Sequence, residues 1–263
     1  MNIVVKDTGR QLLGAFARAA AVLAIGLLAS SALAQGGPPM VTDDPETPGN
    51  GHWEINLATI GTRSAQRWEV AAPDADLNYG WGEHVQLKVD LPWLFVHQAD
   101  EHWKSGLGAG NIGVKWRWVD LEDAGFSMST FPQYGWSWLS SSTRRGITAP
   151  GRQFLLPVEA ATTAGSYRFD AEVGRNFVSG GSSQTNQWVA GFIVAHACAA
   201  GVECMGEVRE TEAPHNAQTL LNFGIHWKLN EALSLIAAAG RQFGPRNDDQ
   251  QRGLFYLGLQ VHL

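Results

Sequence analysis

Apolar residues occupy every second position through most of this chain after residue 50, and this alternation restricts its fold more than any other feature. Trp53, Ile55 and Leu57, for example, alternate with Glu54 and Asn56. Because successive side chains of an extended strand point to opposite faces, each such segment has one apolar face and one polar face. The alternation predicts an all-β fold of about twelve strands, which begin near residues 52, 67, 84, 107, 125, 152, 165, 185, 202, 217, 231 and 252.

Three segments depart from this simple pattern. The apolar positions change parity between Val70 and Leu77, and the intervening residues around Pro73 predict a β-bulge in the second strand. Residues 187–197 are apolar on both faces, so the alternation leaves the orientation of that strand open. Residues 202–209 are more polar than the other predicted strands, and their faces are not clearly distinguished.

The connections between the predicted strands fall into two length classes. Short connections lie at residues 80–83, 120–123, 164–165, 200–201 and 229–231, and longer polar connections lie at residues 96–106, 139–151 and 244–253. The two classes mostly alternate along the chain, and both ends of the strand array fall on the side of the short connections. An up-and-down antiparallel outer-membrane barrel has short turns at one rim and longer loops at the other, so the sequence predicts that architecture.

The alternation alone fits a soluble sandwich or a lipocalin-like barrel as well as a transmembrane barrel, because only the direction of the apolar face differs. Strand length favours the membrane, since many segments offer about ten residues, whereas an ordinary globular strand has about five or six. Aromatic residues at the strand ends also favour it, because an indole suits the boundary between lipid and water. These tryptophans are Trp53, Trp68, Trp81, Trp93, Trp116, Trp118, Trp136, Trp138 and Trp227.

Several classes of protein are disfavoured by composition and motifs. No window reaches the roughly 18 continuous apolar residues of a membrane-spanning helix, which argues against a helical membrane protein. The formal net charge of −6 argues against a nucleic-acid partner, which would need a clustered basic face. The sequence contains no spacing typical of metal, nucleotide or dinucleotide sites, so we predict no metal and no cofactor.

The N-terminal region predicts export. Basic residues precede an apolar run at residues 19–29, and Ala32 and Ala34 supply a cleavage site. The alternative is an N-terminal core helix, but the glycines and prolines at residues 36–39 would end it at once. We therefore predict a cleaved signal peptide over residues 1–34, a periplasmic segment over residues 35–50, and a barrel over residues 51–263. The barrel would lie in the outer membrane of a Gram-negative bacterium, with outer-membrane lipid and the barrel-assembly machinery as partners.

The start of the predicted mature chain resembles a known family. The stretch PPMVTDDPETP at residues 38–48 contains Thr42, Asp43, Asp44, Pro45 and Glu46, and it is followed by GHWEIN at residues 51–56. This pair of motifs is similar to the N-terminal signature of the outer-membrane transporter family linked to the meta-pathway of phenol degradation. The resemblance continues through alternating strands such as 85–92 and 223–235. It implies a porin-like barrel that passes small organic molecules.

The polar face of the predicted strands carries ionisable groups of both signs, which would face the lumen of a membrane barrel. These candidates for contact with a permeating solute are Glu54, Glu69, Asp76, Lys88, Asp90, Lys115, Arg117, Glu159, Arg168, Asp170, Glu172, His226 and Lys228. One interpretation is a transverse field or constriction that orients the solute. The other, which we favour for most single residues, is a set of cross-strand salt bridges that keep buried charges paired.

Two cysteines flank one predicted hairpin. Cys198 and Cys204 lie on either side of a turn centred on Gly201, which would place them opposite each other on adjacent strands. The oxidising periplasm favours a disulfide between them. The alternative is a pair of small packing residues.

A further hypothesis concerns residues 35–50, which would fold into the periplasmic mouth as a short plug.

Taken together, these features predict a porin-like outer-membrane channel for passive uptake of small organic solutes, including aromatic or hydrophobic ones. Two alternatives stay open: a structural or adhesive barrel with a closed lumen, and an outer-membrane lipid-modifying or hydrolytic enzyme. Serines and histidines are present, but no Gly-x-Ser-x-Gly elbow or other motif joins a nucleophile to a base. We therefore predict no catalytic residue and no enzymatic activity.

Overall fold

The computed structural model describes residues 37–99, 101–180, 186–213, 216–246 and 250–263. The predicted signal peptide, residues 1–34, lies outside the described residues, as do residues 35 and 36. Within the described ranges, helical structure is limited to a 3-10 turn (Glu122–Ala124) and one short helix, α1 (Ser140–Arg144). No helix in these ranges is long and apolar enough to cross a membrane.

Twelve strands follow one another in the described part of the chain, and two of them are each interrupted once. They are β1 (Trp53–Arg63), β2 (Arg67–Gly80), β3 (Val85–Gln98), β4 (Lys104–Leu107 and Ala109–Leu121), β5 (Phe126–Thr130 and Gln133–Ser137), β6 (Arg152–Ala164), β7 (Tyr167–Ser179), β8 (Gln187–Ala199), β9 (Val202–Ala213), β10 (Asn216–Lys228), β11 (Leu233–Phe243) and β12 (Gly253–His262). Each strand pairs antiparallel with the next, and β12 pairs with β1. The sheet closes on itself, which confirms the predicted twelve-stranded up-and-down barrel.

Irregularities in β2, β4 and β5 occur at proline or glycine. In β2 the register with β3 shifts between Ala71 and Asp74, which confirms the bulge predicted around Pro73. β4 is interrupted at Gly108, where its register with β3 also shifts. β5 is interrupted beside Pro132, because proline has no N–H to donate to the ladder. All three irregularities leave the order of the strands around the barrel unchanged.

The barrel wall has the reverse of the arrangement found in a water-soluble protein. On β10, Phe223 is 69% exposed on the outer face, whereas its neighbour Asn222 points inward and is 0% exposed. On β1, Leu57 is exposed and Asn56 is fully buried. Soluble proteins rarely expose apolar surface on this scale, so the outer wall requires an apolar surrounding.

A small apolar core lies inside the barrel on the inner faces of β8, β9 and β11. Ile193 of β8 packs with Met205 of β9, Ile236 of β11 and Met40 from the N-terminal region. Phe192, the neighbour of Ile193, lies on the outer surface. The orientation of β8, which the sequence left open, therefore follows from this internal contact.

The two rims of the barrel differ. Both ends of the strand array and the short turns lie at one rim, here called the short-turn rim, and the other is the long-loop rim. The connection at residues 138–151 contains α1 and folds into the mouth of the long-loop rim. There Ile147 is fully buried against Leu94 and Val96 of β3, and Arg67 of β2 donates a hydrogen bond of 2.7 Å to the Ile147 carbonyl. This loop therefore narrows the long-loop mouth.

Candidate functional site

Residues 37–50, here called the N-terminal segment, run from the short-turn rim, where Asn50 is exposed, into the interior of the barrel, where Met40 is buried. At the short-turn rim the Thr47 hydroxyl donates a hydrogen bond of 2.8 Å to the Glu83 carbonyl. A Cβ atom at Gly80 would collide with the backbone of Gly49, so glycine permits the close approach of the segment to β2 at this point. From there the segment runs inward to Met40, which packs in the internal apolar core between the two rims.

Lys115 of β4 is the central cation beside the segment. Its side chain is 2% exposed, and its Nζ atom lies 2.8 Å from the Asp43 carboxylate, 3.7 Å from that of Asp44 and 3.9 Å from that of Glu159. It also donates a hydrogen bond to the Asp44 carbonyl and lies 4.8 Å from the centre of the Phe131 ring. A buried ammonium is tolerated only when it is paired, so the segment supplies much of the compensation that Lys115 needs.

Two arginines of the wall also bind acidic groups of the segment. Arg168 of β7 lies 3.3 Å from the carboxylate of Asp44 and 2.7 Å from that of Asp170. Arg117 of β4 lies 2.7 Å from the carboxylate of Glu46. Each acidic residue of the segment therefore meets a basic side chain of the barrel wall.

Glu207 and Arg209 of β9 complete this contact, and neither belongs to the lumen residues predicted from sequence. Glu207 accepts hydrogen bonds from the backbone N–H groups of Thr42 at 2.6 Å and Val41 at 3.2 Å. Arg209 lies 2.9 Å from the Glu172 carboxylate. Both were missed because β9 is polar on both faces. Their spacing of two residues around an apolar valine is the signal that places them together on the inner face.

We call this contact region the paired side of the lumen. It comprises the inward-facing charged residues of β4 to β9 that surround the N-terminal segment. Its members are Lys115, Arg117, Glu159, Arg168, Asp170, Glu172, Glu207 and Arg209. Ion pairs connect the wall to the segment at several heights, so the segment is anchored along most of its length.

The inner face of β1 to β3 is different, and we call it the acidic side. It carries Glu54, Asp74, Asp76, Lys88 and Asp90. Asp76 and Asp90 stand directly opposite each other on β2 and β3, and the Lys88 ammonium lies 3.3 Å from the Asp76 carboxylate. Among the described residues, neither Oδ1 of Asp76 nor Oδ1 of Asp90 has a hydrogen-bond partner. Like charges placed opposite each other in a sheet are unfavourable, so this side has an excess of negative charge.

Two cavities separate the N-terminal segment from the acidic side. The larger has a volume of about 180 Å³ and extends toward the long-loop rim beside Ile60 and Tyr256. The smaller has a volume of about 20 Å³ and lies toward the short-turn rim. Pro38, Asp76 and Lys88 border both cavities. The Lys88–Asp76 ion pair and the ring of Pro38 therefore form the constriction between them.

The structure brings most of the sequence-predicted lumen residues together in these two regions. The paired side contains Lys115, Arg117, Glu159, Arg168, Asp170 and Glu172, and the acidic side contains Glu54, Asp76, Lys88 and Asp90. The others lie apart: Glu69 pairs with Arg67 at 2.8 Å near the long-loop rim, and His226 and Lys228 lie at the short-turn end of β10. Many of these residues thus lie within ion-pair distance of other charged side chains of the protein.

Cys198 and Cys204 are joined by a disulfide across the β8–β9 hairpin, with their Cα atoms 5.8 Å apart. The expectation that they stand directly opposite each other was wrong. Cys204 lies opposite His196, because the register shifts between Ala197 and Ala199. The irregular position of Cys198 follows from this shift, which the sequence did not indicate.

The carboxyl groups of the N-terminal segment are perturbed in opposite directions. Burial by itself raises the pKa of Asp43, but the charges of Lys115 and Lys88 outweigh it and hold this pKa below the ordinary value of 3.8. Burial and the nearby Asp44 carboxylate raise the pKa of Glu46 above its ordinary value of 4.5, against the opposing charge of its arginine partner. Glu46 therefore takes up a proton at a higher pH than Asp43.

No protein-family model matches this sequence, and no curated protein matches it. The fold resembles the COG4313 outer membrane channel from Pseudomonas putida F1, with a TM-score of 0.65 and 11% identity over 85% of this chain and 100% of that chain. It also resembles the NanC porin, with a TM-score of 0.58 and 11% identity over 80% of this chain and 100% of that chain. The KdgM porin in complex with disordered oligogalacturonate gives a TM-score of 0.55 and 8% identity, over 79% and 98% of the two chains. These likenesses show a porin-like barrel fold, and the resemblance to the phenol-degradation family stays a prediction.

Proposed function

We propose that the protein is a passive outer-membrane channel for small organic solutes, in which the N-terminal segment is seated as a plug. One observation carries the proposal: a closed barrel encloses a lumen lined by charged groups, while its outer wall is apolar. An apolar outer band and a polar interior are the features of a transmembrane barrel that conducts solutes. The proposal assigns no catalytic residue, metal or cofactor to the lumen.

The outer surface supports insertion into a bilayer. β2 and β3 each have 14 residues, more than the roughly 9–11 that a tilted strand needs to cross the hydrocarbon layer. Aromatic rings lie near both rims. The ring centres of Trp53 and Tyr79 are 4.8 Å apart near the short-turn rim, and Trp188 lies near the long-loop rim. Such rings suit the interface between lipid and water. The short-turn rim would face the periplasm, and insertion would use the barrel-assembly machinery.

The seating of the N-terminal segment supports the plug. Its acidic side chains pair with Lys115, Arg117 and Arg168, and its backbone N–H groups are bound by Glu207. Gly191 of β8 belongs to the same contact, because a Cβ atom there would collide with Thr42. The wall is thus shaped and charged for this segment. We infer that the segment closes most of the paired side and leaves the acidic side as the route for a solute.

A structural barrel with a closed lumen is the second candidate, and one observation favours it. With the segment in place, the two cavities beside the acidic side measure only about 180 Å³ and 20 Å³. The smaller has room for about one water molecule. If the segment never leaves, the barrel conducts little more than water or small ions.

Deletion of residues 37–48 tests both candidates, because it retains the glycines at the short-turn rim and removes the anchored part of the segment. We expect the single-channel conductance in planar bilayers to rise several-fold, and proteoliposomes to swell in small organic solutes that the full chain admits slowly. Addition of a peptide of residues 37–48 from the periplasmic side should block the enlarged conductance. A peptide with Asp43, Asp44 and Glu46 replaced by their amides is the matched control and should block poorly.

Two results would decide against the proposal. Conductance that is the same with and without residues 37–48 would show that the segment is not a plug. A deletion variant that is folded but neither conducts nor allows swelling would favour the structural barrel. Circular dichroism and heat-modifiable electrophoretic mobility would establish folding of each variant before these comparisons.

A further inference from the structure

The larger cavity has one apolar part and one acidic part. Met40 of the N-terminal segment, Ile60 of β1 and Tyr256 of β12 supply the apolar part. Asp76 of β2 and Asp90 of β3 supply the acidic part. A site with both kinds of wall is suited to a ligand that has an apolar body and a polar or charged end.

The charges around this cavity do not balance. Three aspartates, Asp74, Asp76 and Asp90, line it with one cation, Lys88, among the described residues. Lys88 contacts one oxygen of Asp76, while Oδ1 of Asp76 and Oδ1 of Asp90 have no hydrogen-bond partner in the described structure. Asp76 is only 5% exposed. Lys88 and the Asn111 side-chain amide thus each satisfy only one oxygen of Asp76 and Asp90, respectively, and a second cation at this wall would offset the remaining negative charge.

The volume of the cavity sets the size of the ligand. A protein cavity of about 150 Å³ holds benzene, and this cavity measures about 180 Å³. It therefore accommodates a ring of that size together with one ammonium group. A bare metal ion would satisfy the carboxylates but leave the apolar wall in contact with water, and an organic anion would add to the negative charge.

We infer that this cavity is a binding site for a small organic cation with an apolar body of about one aromatic ring. In this arrangement the ammonium group lies against the acidic wall formed by Asp74, Asp76 and Asp90, and the ring packs against Ile60 and Tyr256. The inference deepens the proposed channel function and rests on it for the route by which the cation arrives. The site borders the Lys88–Asp76 constriction on the side of the long-loop rim. An incoming ammonium group therefore competes with Lys88 for Asp76.

Isothermal titration calorimetry on the folded full chain in detergent tests the site, with benzylammonium as the probe. Benzyl alcohol has the same shape without the charge, benzoate reverses the charge, and methylammonium lacks the ring. We expect benzylammonium to bind saturably with one site per barrel. Each of the other probes should bind at least about tenfold more weakly, because each loses either a charge-assisted contact or the burial of the ring.

Two variants locate the binding within the cavity. Asp76→Asn removes one charge, and we expect benzylammonium affinity to fall about tenfold or more. Leu254→Trp fills the cavity from β12 and leaves every carboxylate in place, so it should abolish binding even if Asp76→Asn does not fold. Glu101→Gln is the matched control, because it removes an exposed carboxylate that pairs with Lys104 outside the barrel wall. It should bind the probe as the unaltered chain does.

The outcomes separate this inference from the proposed channel. Equal affinity for benzylammonium and benzoate, or unchanged affinity in the folded Leu254→Trp variant, would overturn the site. Conductance and swelling without benzylammonium binding would overturn the site and leave the channel standing. Binding with the expected variant pattern, but no conductance even after deletion of residues 37–48, would establish the site and refute the channel.

Discussion

The two sides of the lumen face the same N-terminal segment with different chemistry. On the paired side, buried bases such as Lys115 and Arg168 bind carboxylates of the segment. On the acidic side, Asp76 and Asp90 face each other and Lys88 pairs with Asp76. Because the segment turns its acidic side chains toward the bases, it lies against one wall and leaves cavities along the other. The charge distribution of the barrel therefore decides both where the segment is held and where space for a solute remains.

The largest effect is expected when the paired side loses its central cation. Lys115→Met leaves Asp43 and Glu159 buried without the ammonium between them. Breaking a buried ion pair in this way costs about 3–5 kcal/mol, and about 1.4 kcal/mol is a tenfold change in an equilibrium. We therefore expect the segment to leave the lumen and the conductance in planar bilayers to approach that of the chain without residues 37–48.

The control for this variant is Arg63→Met, which removes an exposed positive charge that lies over Trp68 at the long-loop rim. It should leave conductance unchanged. A folded Lys115→Met protein with the conductance of the unaltered chain would mean that the ion pairs of the paired side do not hold the segment.

A smaller effect on the same side is expected from shape alone. Gly191→Ala places a methyl group against the side chain of Thr42, and such overpacking typically costs about 1–3 kcal/mol. Gly206→Ala is the matched control on the neighbouring strand, because its Cβ atom would meet only the Phe223 ring at an ordinary 3.7 Å. Gly191→Ala should increase the fraction of time that the channel is open, and Gly206→Ala should not.

Rescue makes this test sharper. Thr42→Gly removes the side chain with which the new methyl group collides, so the double variant should close more often than Gly191→Ala alone. An open fraction that Thr42→Gly does not reduce would show that the glycine acts through the barrel wall rather than through the segment.

The wall of the barrel was predictable from sequence, whereas the contacts inside it were not. Strand faces follow from a local period of two, and the β2 bulge follows from Pro73, because both depend on neighbouring residues in the chain. The partner of Lys115 could not be predicted, because it depends on the path of a segment about seventy residues away in sequence, at Asp43. Which face of β8 points into the barrel depends on the path of the same segment, since Ile193 packs against Met40.

The acidic side should respond in ion selectivity more than in gating. Lys88→Met removes the cation from the constriction between the two cavities, so we expect the permeability for K⁺ relative to Cl⁻ to rise a few-fold. Asp76→Asn removes the acidic partner of Lys88 and should shift the selectivity in the opposite direction. The reversal potential across a bilayer in a KCl gradient measures both. Shifts of the same sign in the two variants would contradict the assignment of this side as the conducting route.

The smallest effect is expected from pH, and it separates two acids of the segment itself. The raised pKa of Glu46 means that the seated segment binds a proton more tightly than the free one, so seating becomes more favourable as the pH falls from 7 toward 4.5. The lowered pKa of Asp43 has the opposite sign: its stabilisation is complete above its ordinary value of 3.8 and is lost as the pH falls through the lower seated value. The contribution of Glu46 should thus lower the open probability slightly down to about pH 4.5, and the contribution of Asp43 should raise it only below about pH 3.8. Glu46→Gln should abolish the first change while retaining the second. Because the carboxylates of the wall titrate equally in the unaltered chain and in the variant, the difference between their curves of open probability against pH isolates Glu46. An unaltered chain that opens steadily between pH 7 and 4.5, with Glu46→Gln following the same curve, would contradict the opposite roles assigned to these two carboxyl groups.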